Sequence, residues 1–151
     1  MKKAHADQIA ELINTHNYLI VAYDYKTVQD SLALENHYIF HRLDPVGSRV
    51  VGVVELRRVQ WYQWEVFHLA VDPAYRRQGL GTQLLEEAEA KVCTEGARLL
   101  QCTIFEDNVA SKAVFARRGF VQVAAFYNET TESTVTVWQK VLSLPRKTTG
   151  V

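Results

Sequence analysis

Residues 64–92 constrain this chain more than any other stretch. An apolar, strand-like run ends at Asp72-Pro73, the loop Arg76-Arg77-Gln78-Gly79-Leu80-Gly81-Thr82 follows, and Leu84, Leu85, Ala88 and Val92 then recur at helical spacing. Two glycines with one residue between them let backbone pass close to a ligand without interference from Cβ, so successive N–H groups can converge on an anion. The first turn of the following helix adds unpaired donors and the positive end of its dipole, and Arg76 and Arg77 bring full charges beside it. The loop reads as a cradle for a pyrophosphate. A tight turn that needs positive φ would select the same glycines, so the loop alone does not establish a ligand. It is not a Walker A loop, which ends in Gly-Lys-Ser/Thr, and no third glycine completes a dinucleotide fingerprint.

The 151 residues suit one domain, assigned to residues 1–144 with a flexible tail at 145–151. Seventeen basic residues balance seventeen acidic ones, so overall charge directs the chain to neither nucleic acid nor an anionic membrane. Cys93 and Cys102 fall in a core-like helix and a core-like strand, without the spacing of a zinc or redox site, and a reduced, cytoplasmic setting is expected. Nothing after Met1-Lys2-Lys3 resembles a signal peptide, and no run approaches the roughly 18 apolar residues of a membrane span.

Ile9, Leu12, Ile13 and His16 predict a first helix with Asp7 as a cap near its start, and residues 27–35 a second. Strands are expected at 37–43, 49–59, 64–71, 99–105, 120–126 and 134–142, with 19–23 as a seventh at an edge and a short helix over 110–118. Elements in this order predict an α/β or α+β three-layer fold, with a mixed sheet of six or seven strands and helices on both faces.

The segment from Val66 to Gly81 resembles the acetyl-CoA motif of the GNAT superfamily of N-acetyltransferases, Arg/Gln-x-x-Gly-x-Gly/Ala, matched by Arg76, Gly79 and Gly81. The stretch from Asn108 to Gly119-Phe120 resembles that superfamily's second cofactor motif, in the right order and at the right separation. The resemblance implies acetyl-CoA or coenzyme A as cofactor. Residues 76–82 would hold the pyrophosphate, while Leu69, Ala70 and Val71 would lie on the strand that pairs with the pantetheine arm and carries a bulge. Asn108, Ser111 and Phe115 would approach the cofactor from the opposite side. Phe115 departs from the family, since many members carry there a tyrosine that protonates the departing thiolate.

Acyl transfer to an amine also requires a proton acceptor, because an amine with pKa near ~10.4 is nearly all ammonium at neutral pH. Glu65, eleven residues before Arg76, is the first candidate and His68 the second; a solvated strand-edge carboxylate and a hydrogen-bonded core histidine are their structural alternatives. Tyr127 is weighed as a replacement acid, and Trp61, Tyr62 and Trp64, with Glu106, Asp107, Glu129 and Glu132, as acceptor-pocket residues. His37 and His41 have no third ligand in view, so no metal is expected. The favoured function is N-acetyl transfer to a small-molecule or peptide amine, with a homodimer through the apolar strand edges left open. A non-catalytic acyl-CoA-binding module and a nucleotide-binding domain of another class are the alternatives.

Overall fold

The computed structural model describes residues 1–17 and 22–142. Two helices, α1 (Lys3–His16) and α2 (Tyr25–Ala33), precede three strands, β1 (His37–Leu43), β2 (Val50–Arg58) and β3 (Gln63–Val71). A 3-10 turn (Pro73–Tyr75) leads into α3 (Leu80–Thr94), followed by β4 (Leu99–Phe105), α4 (Val109–Arg117), β5 (Val121–Asn128) and β6 (Ser133–Val141). The six strands form one sheet in the order β1-β2-β3-β4-β6-β5. Every neighbouring pair is antiparallel except β3 and β4, which are parallel because α3 crosses over between them.

Each face of the sheet has its own core. Ile9 and Ile13 of α1 and Val28 of α2 pack with Val53 and Ala70 on one side, while Leu84, Leu85, Ala88 and Val92 of α3 meet Val54, Leu56, Trp64 and Leu100 on the other. The stripe expected of α3 is buried at all four positions. Strand β2 is buried on both faces from Val50 to Leu56, which explains its almost continuous apolar run and makes Glu55, the one charge within that buried span, conspicuous.

Two local expectations need correction. Helix α1 starts at Lys3 and its first turn has no side-chain cap, so Asp7 lies inside the helix. Asp24 is a true cap, accepting from the Thr27 N–H at 2.7 Å at the start of α2. Cys93 is exposed on α3, and only Cys102 is core. The seventh strand expected at 19–23 falls mostly on residues 18–21, outside the described residues, as does the tail at 145–151. No described helix is long and apolar enough to cross a membrane.

Candidate active site

The site exists because β3 and β4 part. Their ladder runs only from Gln63–Leu99 to Glu65–Gln101; beyond it β4 pairs with β6 alone and β3 with β2 alone. From Val66 to Val71 the backbone groups of β3 that face β4 therefore have no strand partner, and an extended ligand can supply one. Here β3 also carries a bulge. Glu55 opposes His68 and Leu56 opposes Val66, which leaves Phe67 as the extra residue. The bulge switches the facing pattern: Trp64 and Val66 belong to the α3-side core, whereas Ala70 belongs to the α1-side core.

Two cavities, of about 450 Å³ and about 330 Å³, open along this gap and share His16, Leu69, Asn108 and Ser111 as walls. The larger is bounded by the glycine loop. Gly79 sits at φ 78° as the N-cap of α3 and Arg77 at φ 63°, so the chain enters the helix through two left-handed residues. No side chain caps α3 and its first turn carries no acid, leaving its leading N–H groups and dipole free for an anion. Arg76, Arg77 and Arg117 line this cavity, and no carboxylate does among the described residues. A diphosphate fits such a donor set, and the unpaired edge of β3 suits an extended arm.

Gly81 lines the larger cavity without a positive φ, and a Cβ there would lie at ordinary contact distance from Val114 Cγ1 (3.5 Å) and Val71 Cγ2 (3.9 Å). Gln78 lines neither cavity. Arg76 is folded back, its Nε donating to the Val71 carbonyl at 3.3 Å and its Nη2 lying 3.2 Å from His16 Nδ1. Burial, and then Arg76, hold the His16 imidazole below its ordinary pKa.

The smaller cavity holds the titratable groups. Glu65 is partly buried, and burial raises its carboxyl above the usual range against the opposing pull of Arg57. His68 is 7% exposed; burial lowers its pKa, with Glu55 opposing and Arg57 and His37 reinforcing the drop. Both side chains line the cavity. Cys102 also borders it, but burial and the nearby Glu65 push its thiol up, so it offers no thiolate nucleophile near neutral pH. Phe115 closes the floor, 4% exposed and edge-on to Phe120 at 5.0 Å, with no hydroxyl to donate. Asn108 lies between the cavities, its side chain accepting from the Ser111 N–H at 3.1 Å to cap α4.

Several expected residues are not assembled here. Trp64 is fully buried and stacked on Tyr38 at 5.6 Å, Trp61 is 67% exposed at the β2–β3 turn, and neither they nor Tyr62 line the cavities. They sit where β3 and β4 still pair, at the closed end of the gap. Glu106, Asp107, Glu129 and Glu132 are also absent from the walls, and Tyr127 is exposed outside them while its neighbours Phe126 and Asn128 face in. Sequence reading missed Phe67 as the bulge, His16 among the four residues that wall both cavities, and Glu55 behind His68. Only Glu55 had a readable sign, as a lone carboxylate inside an apolar run.

Known proteins agree with this geometry. The profile described as Acetyltransferase (GNAT) family matches residues 6–120. The chain is similar to the N-alpha-acetyltransferase RimI of Mycobacterium tuberculosis, 32% identical over 88 residues that cover 58% of this chain and 54% of that protein. It is also similar to the L-2,4-diaminobutyric acid acetyltransferase of Nocardia farcinica, 31% identical over 116 residues that cover 63% of this chain and 58% of the relative. The chain thus spans little more than half the length of these two relatives. In fold it is similar to the crystal structure of the ribosomal-protein-S18-alanine N-acetyltransferase from Escherichia coli, with a TM-score of 0.79 at 19% identity over 100% of this chain and 96% of that one. By that family match over residues 6–120, and in keeping with the parted strands β3 and β4, the bulge of β3 against β2 and the uncapped helix after a glycine loop, this chain belongs to the GNAT acetyltransferases, the family whose cosubstrate is acetyl-CoA.

Proposed function

We propose that this protein transfers an acetyl group from acetyl-CoA to a primary amine by direct attack in a ternary complex. The observation that carries the reading is the juxtaposition in one gap of an arginine-lined cavity, with no carboxylate among its described residues, and a cavity containing Glu65 and His68. The first suits a polyanionic acyl donor and the second a group that must lose protons. Acetyl-CoA supplies an activated thioester when bound. The chain's part is to grip the diphosphate with residues 76–82, to offer backbone partners along Leu69–Val71 and to hold Asn108, Ser111 and Phe115 against the opposite wall. Orientation of this kind supplies most of the acceleration expected of an enzyme that forms no covalent intermediate.

Glu65 takes the proton of the ammonium, made more basic by its burial, and His68 stands beside it as a second acceptor. The partly apolar pocket, with Phe67 and Phe126 in its walls, accepts a small-molecule amine or the end of a peptide in a cytoplasmic setting. Homodimerisation belongs to the same reading, through the edge strand β5, whose Val121 and Val123 are exposed; sedimentation at micromolar concentration checks it.

Amine-dependent release of CoA thiol across a panel of small amines and peptides tests the function. Cofactor binding with no turnover on any member supports the second reading, an acyl-CoA-binding module, which the missing hydroxyl at Phe115 motivates. Thermal stabilisation by ATP or NAD but not by acetyl-CoA refutes both, since a ligand at 100 times its Kd adds about 2.7 kcal/mol of stability.

A further inference from the structure

Behind the cleft, on the α1 side of the sheet, four polar side chains meet in the core. Glu55 is 0% exposed. Its Oε1 lies 2.5 Å from His37 Nε2, its Oε2 accepts from the Tyr23 hydroxyl at 3.2 Å, and the same Oε2 lies 3.7 Å from His68 Nε2. Tyr23 is itself fixed, because the Asn14 side chain bonds both its backbone N–H, at 2.7 Å, and its carbonyl, at 2.8 Å. His68 Nε2 is buried with no hydrogen-bond partner, and it is aimed at a carboxylate just beyond bonding distance. The ring meanwhile forms part of the cleft wall.

A buried carboxylate needs a reason, since its desolvation costs several kcal/mol unless other groups compensate. Two donors, from His37 and Tyr23, satisfy Glu55 already. The remaining feature is the gap to His68, which Nε2–H can close with a charge-assisted hydrogen bond that is strongest when the ring is cationic. Turning an ammonium into an amide removes two protons from nitrogen; one ends on the departing thiolate and the other in solvent. One carboxylate, Glu65, cannot hold both at once.

The geometry points to Glu55 as a positioning residue and buried counter-ion that enables His68 to take up the second of these protons, the ring rotating onto Glu55 as it becomes cationic. The inference rests on the acetyl-transfer reading above. The N–H bond of the reacting nitrogen breaks toward His68, its electron pair stays with the forming amide, and the proton leaves His68 for the thiolate or for water in the open cleft. The charged and titratable groups around the imidazole are Glu55 and Arg57 from β2, His37 from β1 and Tyr23 from the α1–α2 connection. Among these Glu55 favours a cationic ring, and Arg57 and His37 oppose one. Without Glu55, the buried His68 imidazole keeps only neighbours that oppose or do not favour its cationic form.

The test follows the His68 imidazole by NMR in the cofactor-free protein, its resonances assigned by their loss in His68→Gln. Glu55→Gln keeps the shape and an acceptor for His37 and Tyr23 but removes the charge. It lowers the His68 pKa by at least one unit, a tenfold loss of proton affinity. Tyr23→Phe removes a donor from Glu55, leaves its charge less quenched and raises the same pKa, so the two variants move it in opposite directions. Tyr23→Phe serves alone if Glu55→Gln does not fold. In turnover, the acid limb of the kcat/KM profile of Glu55→Gln moves to lower pH with an unchanged Kd for CoA. An unmoved His68 pKa in the folded variants, or an unmoved acid limb, overturns the assignment. Failure of every amine to release thiol while the pKa moves as described overturns instead the acetyl-transfer reading, and the two failures are told apart.

Discussion

Replacing Gly79 by alanine isolates the strain in the cofactor loop. At φ 78° an L-residue bears roughly 1–2 kcal/mol of left-handed backbone cost. An added Cβ meets nothing within 4 Å, so no steric term confuses the result. Gly47, in the β1–β2 turn and not among the residues lining either cavity, is a matched control: its φ is 75° and its Cβ would also meet nothing within 4 Å. Each substitution also stiffens the unfolded chain, recovering about 0.4–1 kcal/mol and leaving a net loss of about 1 kcal/mol. For a chain of this length that loss corresponds to a fall of about 2–4 °C in Tm.

The two variants then diverge. In Gly47→Ala the loss is the same with or without acetyl-CoA, and Kd is unchanged. In Gly79→Ala the free loop can relax out of the left-handed region, so part of the cost moves from folding to binding. A full transfer weakens acetyl-CoA binding by about fivefold. However the cost divides, the protein saturated with acetyl-CoA carries all of it. Calorimetric Tm values with and without ligand, and titration calorimetry for Kd, measure both parts. If saturated Gly79→Ala melts with wild type while Gly47→Ala shows its loss, the bound loop does not use the left-handed conformation and the pyrophosphate assignment is wrong.

Three further variants have expected outcomes. Glu65→Gln lowers kcat/KM by about 10²-fold with little change in Kd for CoA; an unchanged kcat/KM on a verified amine would falsify the base assignment. Because burial raises the native pKa of Glu65 above the unfolded value near ~4.3, the wild-type carboxyl favours folding most at low pH, and this contribution is lost as pH rises through the native pKa. The stability of Glu65→Gln relative to wild type is therefore greater at pH 7 than at pH 4, as chemical denaturation at both values will show. Phe115→Tyr buries a hydroxyl at a 4% exposed position and costs about 1–3 kcal/mol in denaturant unfolding without accelerating turnover, because a thiol with pKa near ~8.5 leaves without prior protonation; a tenfold rise in kcat refutes that order of events. Gly52→Ala places a Cβ 3.1 Å from Leu84 Cδ1 in the α3-side core and costs about 1–3 kcal/mol of stability, with Kd for CoA unmoved.

Sequence alone determined what depends on neighbours along the chain. The four-residue stripe of α3, the six strand positions, the left-handed entry at Gly79 and the match of Arg76, Gly79 and Gly81 to a cofactor motif are all short-range patterns, and each reports a local period, a turn or a motif. Tertiary structure decided what depends on residues far apart. The bulge at Phe67 is a mismatch of register between β2 and β3, and the cleft is a place where β3 and β4 stop pairing; neither leaves a mark in either strand's own composition. The same bulge helps place His68 on the face where Glu55, Tyr23 and His37 converge, although His37 and His68 are 31 residues apart in the chain. Trp64 shows the reverse case, an aromatic residue that suited a pocket by its chemistry and went to the core because at its position the strands were still joined. Local periodicity reports which way a side chain faces on its own element, and only the packing of elements determines what it faces.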